Sequence, residues 1–376
     1  MKQTLLNNLK NIPGWNTKRK IVVIAVDDYG NVRLDSKEAR ENMDKAGLKI
    51  HSRFDAFDTL ETRQDIEGLY EVLTSVKDKN GRHAVFTPYA LPCNIDFEKM
   101  ADNDYKKYSY ELLPETYGKL SAKSPNAYNG AWSLWQEGIE KGLMKPQFHG
   151  REHLNLKVFD KKLKERDHEV MTALRNRSYT SLSNSGFPNT RFTAAFDFEK
   201  KKDLEDFPKI LKSGLEAFET VYGFKSDTFT PPAQGFHESL LPVIKQKGVK
   251  AINRSLYETK HLGDGRYKKG INFTGYKKSK GIVYLVRNVV FEPTEDRGTD
   301  WVQNTFDQIG VAFRWNRPAL ISSHRVNFCG HIDENNRKKG LTALKQLLDK
   351  IVKEWPDVEF MGMDELVGIM LNQRNN

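Results

Sequence analysis

The chain has 376 residues, 38% of them apolar and 11% aromatic, enough to build either one large α/β barrel with insertions or two medium domains. Its net charge is +10, but the lysines are spread along predicted helices (Lys161, Lys162 and Lys164; Lys200, Lys201 and Lys202; Lys338 and Lys339), and no zinc-finger, basic-zipper or RNA-recognition signature accompanies them, so no nucleic-acid partner is expected. No window approaches 18 apolar residues, which excludes a helical membrane span, and two cysteines, Cys93 and Cys329, are too few for a four-thiolate zinc site or a disulfide framework.

The first 19 residues are polar and lack an apolar leader segment, which gives the expectation of a cytoplasmic protein with a short N-terminal extension. Residues 20–26 form a nearly continuous β-branched run that ends in Asp27-Asp28-Tyr29-Gly30. Such a run predicts a strand buried on both faces, as in a parallel sheet, followed by a turn. Helices are predicted over 36–46 and 62–77, and a strand over 84–87. Residues 92–130, rich in Tyr, Asn, Asp and Pro, read as an irregular excursion. A helix over 133–141 and a strand over 145–148 lead into His149. A long amphipathic helix is predicted over 158–176, a strand over 191–198 and a helix over 200–221. The strand at 227–230 ends in Pro231-Pro232; a helix at 238–247 and a strand at 250–253 follow. The Gly- and Lys-rich stretch 259–282 predicts a hairpin or loop on a rim. Then come a strand over 282–290, a helix over 301–314, a strand over 319–323 ending at His324, a helix over 334–354, a strand over 358–360 and a helix over 363–371.

Strands alternate with helices along nearly the whole chain, the pattern of parallel βα units. Seven or eight such units predict one elaborated domain, a distorted (β/α)7 barrel over 20–376 with insertions at about 92–143 and 255–282. There is no Gly-rich dinucleotide fingerprint, phosphate loop, repeat or low-complexity linker.

In parallel α/β folds the chemistry gathers where strands end. The polar groups predicted there are Asp27 and Asp28, His149 and His153, Asp197, Thr230, Asn253 and Arg254, Arg287 and Glu292, and His324. The H-x-x-x-H pair His149/His153, at helical spacing, would set both imidazoles on one face, able to share a metal ion. It lacks the Glu of the H-E-x-x-H metalloprotease signature. Chance placement of two polar histidines is the competing account. Adjacent carboxylates at the end of an apolar strand are costly unless paired or metal-bound. Since neighbours in a strand point apart, one Asp would bind metal and the other activate water. An Asx turn before Gly30 is the bland alternative. His324 suits a general acid.

Together these residues resemble the polysaccharide deacetylase superfamily of the NodB-homology type. The resemblance is carried by Ala25-Val26-Asp27-Asp28-Tyr29-Gly30, His149-Gly150-Arg151-Glu152-His153, Thr230-Pro231-Pro232-Ala233 and Leu320-Ile321-Ser322-Ser323-His324, in family order from about residue 20 to 371. It implies that Asp28, His149 and His153 ligate a divalent metal, Zn²⁺ first, with Co²⁺, Ni²⁺ or Mn²⁺ as alternatives. It implies Asp27 as general base, His324 as general acid and a carbohydrate substrate carrying N- or O-acetyl groups. Arg151, Thr230, Pro232 and Arg254 are the expected substrate contacts. The third motif departs from the family: Thr230 stands where an Arg orients the base, and Ala233 where an aromatic walls the acetyl pocket. No Asp that would tune His324 is evident, and Arg254 is the candidate replacement for the lost Arg. These departures leave open an amidohydrolase acting on a small C–N substrate, or a glycan-binding barrel without catalysis. The tyrosines and tryptophans at 105–135 would either cover the mouth or pack the excursion onto the barrel.

Overall fold

The computed structural model describes residues 2–49, 52–276 and 281–373. Its strands in chain order are β1 (Lys20–Tyr29), β2 (Phe86–Ala90), β3 (Cys93–Ile95), β4 (Tyr110–Leu112), β5 (Gln147–Phe148), β6 (Thr228–Phe229), β7 (Ala251–Asn253), β8 (Tyr257–Gly263), β9 (Arg266–Ile271), β10 (Val283–Leu285), β11 (Val289–Val290), β12 (Ala319–His324) and β13 (Val358–Phe360). Nine strands form one sheet in the order β10-β7-β6-β5-β2-β1-β12-β11, with β13 also paired to β1. Every ladder in it is parallel. The result is the curled parallel sheet of a distorted (β/α) barrel in one α/β domain. The path holds eight strands, not seven, because the predicted strand 282–290 is divided. The Val286 N–H donates to the Thr274 hydroxyl, and residues 286–288 span from one end of the path to the other.

Strand β1 shows why the barrel closes on this sequence. Successive side chains leave a strand on opposite faces. Val22, Ile24 and Val26 face the outer core, with Phe86, Phe148, Phe229, Ile321 and the surrounding helices. Ile21, Val23 and Ala25 face the barrel interior, with Tyr89, Ala251, Leu285 and Leu320. The last helix, Met363–Asn372, adds Met363, Leu366, Val367 and Met370 to that interior cluster. Above the apolar layer the interior turns polar. Tyr89 Oη lies 2.9 Å from Thr228 Oγ1, and the Asn253 amide donates to Tyr89 Oη and to Thr230 Oγ1, both at 2.6 Å.

Three predictions change. The 92–130 excursion is ordered as the antiparallel pair β3–β4 with helices Phe97–Asp102, Leu113–Lys123 and Pro125–Tyr128. The predicted helix 158–176 is two helices, Leu156–Lys164 and His168–Arg175. Arg166 between them adopts a left-handed φ of 51°, and Asp167 caps the second. Residues 191–198 form no strand: Phe192, Ala195, Phe196 and Phe198 are buried in the outer core, and Arg191 turns back onto Asp197. The rim insertion is the hairpin β8–β9; residues 277–280 at its end lie outside the described residues. Among the described residues no helix is long and apolar enough to cross a membrane. Both cysteines are free and buried.

Candidate functional site

Strand β1 runs through both aspartates to Tyr29, and there its regularity breaks. Asp28 has φ 76°, a left-handed conformation that Asp tolerates better than most residues, and the pairing with β2 shifts register between Val26 and Tyr29. This kink cancels the expected divergence of neighbouring side chains, so Asp27 and Asp28 line the same cavity. Gly30 continues the turn at φ +73°, where an added Cβ would stand 2.6 Å from the Leu91 carbonyl oxygen.

Asp28 meets the two predicted histidines. His149 Nε2 and His153 Nε2 each lie 3.2 Å from Asp28 Oδ1, and all three residues are buried. The H-x-x-x-H pair is not helical as predicted. It sits on a loop after β5, where Gly150 at φ +116° folds the chain so that the rings lie 5.3 Å apart. The His149 Nδ1–H donates to the Thr230 carbonyl at 2.7 Å, which leaves Nε2 facing Asp28. His153 Nδ1 is buried without a partner among the described residues. Burial raises the Asp28 carboxyl, but hydrogen bonds from both imidazoles outweigh it and hold the acid well below its usual range. Burial pushes the His153 imidazole down. The three ligand atoms lie within 4.8 Å of one another. One further acidic group, Asp96, Glu98 and Glu111, already has a cation: Lys119 Nζ touches all three carboxylates.

The opposite wall holds two oriented groups. Arg287 forks Asp27, with Nη1–Oδ1 at 2.9 Å and Nη2–Oδ2 at 2.6 Å. His324 is the register partner of Asp27 on neighbouring β12. Its Nδ1–H donates to Glu292 Oε1 at 2.7 Å, leaving Nε2 for the cavity. Glu292 is itself held by Arg53 and by the Asn327 amide at 2.8 Å. Burial alone would lower the His324 pKa, but the Glu292 carboxylate, with Asp28 and Asp27 behind it, raises it to about 9.

The cavity measures about 460 Å³ and is lined by Asp27, Asp28, His149, His153, His324 and Arg254 among the predicted residues. The other three expected substrate contacts stand elsewhere. Arg151 is buried on Glu152 and Ser213 beneath the Tyr110 ring. Thr230 is fully buried and holds His149 and Asn253 in place. Pro232 packs against Gly150. Arg254 reaches the cavity but pairs with Glu258 rather than Asp27; Asp27 is gripped by Arg287. The excursion aromatics pack: Trp135, Tyr117 and Tyr128 are buried, and the Trp135 indole N–H donates to Glu61. Arg287 and Glu292 stood among the strand-end residues; the signal missed was their place on either side of β11, beside β12. Arg33 and Phe54, also lining the cavity, carried no motif.

No family model matches the chain, and no curated protein does. Solved structures align over nearly its whole length. PuuE allantoinase is 9% identical over 95% of this chain and 93% of its own, with a TM-score of 0.47. The Xyl-CE4 domain of a multidomain xylanase from the hindgut metagenome of Trinervitermes trinervoides is 9% identical over 95% and 92%, at 0.40. The Bacillus subtilis peptidoglycan deacetylase PdaC is 10% identical over 95% and 94%, at 0.36. All three scores lie below 0.5.

Proposed function

We propose that the protein is a metal-dependent hydrolase that removes acetyl groups from a carbohydrate. The observation that carries this is the convergence of two imidazole nitrogens on one buried carboxylate oxygen, in the same cavity as a carboxylate gripped by Arg287 and an imidazole gripped by Glu292. Two imidazoles and one carboxylate are a donor set suited to a divalent ion, Zn²⁺ first, and the Nδ1–H of His149 on a backbone carbonyl is the outer support that metal-binding histidines use. Asp28, His149 and His153 would hold the ion. When bound, it supplies Lewis acidity at the acyl oxygen and lowers the pKa of water at the site.

The remaining roles belong to the chain itself. Arg287 holds Asp27 oriented, leaving carboxylate lone pairs to take a proton from the attacking water. His324, protonated at neutral pH through Glu292, donates from Nε2 to the departing oxygen or nitrogen. A glycan-binding barrel would need neither the Asp27–Arg287 grip nor the His324–Glu292 pair. A small-substrate amidohydrolase would use the same groups, but the cavity adjoins a second hollow that shares Ala233, Gln234, Arg254 and Ser255 with it, which favours an extended substrate.

The test is elemental analysis of protein purified without added metal, beside acetate release from acetylated xylan and chitooligosaccharides. About one equivalent of metal in the wild type, lost in His149→Ala/His153→Ala, with metal-dependent acetate release, is the expected result. No metal after reconstitution with zinc, cobalt or nickel overturns the reading.

A further inference from the structure

Arg254 is a buried charge whose partners do not account for it. Its side chain is 5% exposed, and Glu258 takes only the Nη2 end. Nε and Nη1 have no hydrogen-bond partner among the described residues. Glu258 in turn has other donors: the Asn272 amide lies 2.9 Å away and Lys260 Nζ 3.8 Å. A guanidinium presents five donors, and hydrogen bonds to charged groups are the strong ones, so leaving several empty in a buried site is costly. Burial accordingly draws the pKa of Arg254 down to about 10.

The surroundings of this residue are those of a binding site. Arg254 lies on the wall common to the cavity of about 460 Å³ and the adjoining hollow of about 290 Å³. Two further buried atoms lack hydrogen-bond partners among the described residues, Gln234 Oε1 on that shared wall and Asn253 Oδ1 in the lining of the cavity, both acceptors suited to hydroxyl groups. In the hollow, the rings of Phe198, His261 and Tyr267 stack at centroid distances of 4.6 and 4.7 Å. Free donors, free acceptors and flat rings together suit a sugar that carries an acid. One guanidinium already half-engaged by Glu258 suits a monoanion, whereas a phosphate dianion usually gathers several cations.

We propose that the substrate is an acidic saccharide, whose carboxylate is received by Arg254 on the ring next to the one that reacts. This inference rests on the carbohydrate reading above and deepens it.

The test uses the intact protein with acetylated oligogalacturonides and acetylated glucuronoxylan oligomers, each as the free acid and as its methyl ester, which removes the charge and keeps the sugar. Binding is measured by calorimetry and turnover by acetate release. The acid form is expected to bind about tenfold to hundredfold more tightly than the ester, the range for a charged hydrogen bond. Arg254→Met should abolish that preference, and Arg254→Lys should restore part of it. The acid–ester comparison needs only wild-type protein, so it stands even if the variants fold poorly. Equal binding of acid and ester, or binding of neither, overturns the inference. Acid-selective binding without acetate release supports the acidic site and sinks the deacetylase reading. Acetate release at equal kcat/KM from acid and ester does the reverse.

Discussion

The two walls of the cavity are built on different electrostatic plans. On one, Asp28 faces two imidazoles: His149 Nδ1 donates to a backbone carbonyl, and His153 Nδ1 has no hydrogen-bond partner among the described residues. On the other, two cavity-lining groups are each gripped by an opposite charge: Asp27 by Arg287 and His324 by Glu292. Both grips come from one short stretch of chain, residues 287–292, which carries β11 along the edge of β12. The first wall has ligand atoms that converge on one carboxylate oxygen; the second has each group paired with an opposite charge. That contrast is what the proposed division between an ion site and a proton-transfer site rests on.

Breaking the first wall should have the largest effect. His149→Ala/His153→Ala removes two of three ligands, so nucleophile activation and oxyanion stabilisation fail together. Acetate release should fall by about 10⁴-fold or more, combining the usual worth of an acid–base group with that of an oxyanion partner. Chelation of the wild type should reproduce the loss, and added zinc should reverse it. Activity that persists in the metal-free variant would end the ligand assignment.

Breaking the second wall should cost less and leave the ion in place. Asp27→Asn keeps the shape and one of the two bonds from Arg287 but cannot take a proton. A loss of about 10²–10⁴-fold in kcat is expected, with metal content unchanged. Loss of metal in this variant would show that the two walls are not separate units.

The contrast also explains what could be read in the chain. Asp28 closes an apolar run, and His149 and His153 lie four residues apart, so pattern and spacing expose each of them, although Asp28 and His149 meet across 121 residues. The helical spacing of the histidines is carried by a loop, because Gly150 can take a φ that the pattern does not announce. The barrel was legible from alternating apolar runs and helical periods. Its excursion at 92–130 was not, since β3 and β4 are three residues each and hold through tertiary packing. The second wall depended on contacts 260 and 32 residues apart in sequence, Asp27 with Arg287 and Glu292 with His324. Arg254, nearer the expected place in the chain, drew the expectation of a grip on Asp27 that Arg287 makes instead.

Within the second wall, the His324–Glu292 pair can be tuned without being destroyed. His324 must be protonated to donate, and its pKa is raised to about 9, chiefly by Glu292 against the lowering effect of burial. Activity should therefore hold through neutral pH and fall as pH rises through about 9. The pair's contribution to stability follows the same sign: full below the ordinary histidine pKa, lost as pH passes about 9. Glu292→Gln keeps a hydrogen bond but removes the charge, so the alkaline limb of the kcat/KM profile should move down by about one to two pH units. An unmoved limb would mean that another group donates the proton.

The smallest effect is expected at Arg151, although it lies between the two metal-wall histidines. Its guanidinium is spent on Glu152 and the Ser213 hydroxyl, 2.9 Å away, and lies 4.4 Å from the centre of the Tyr110 ring, outside the cavity lining. Arg151→Met keeps the aliphatic volume and removes these bonds, while Glu152 retains the Tyr108 hydroxyl at 3.1 Å. A stability loss of roughly 1–3 kcal/mol should appear in denaturant unfolding. Metal content should not change, and kcat and KM should stay within about twofold. A tenfold rise in KM at full metal occupancy would put this side chain against the substrate and contradict the packed position that separates it from Arg254.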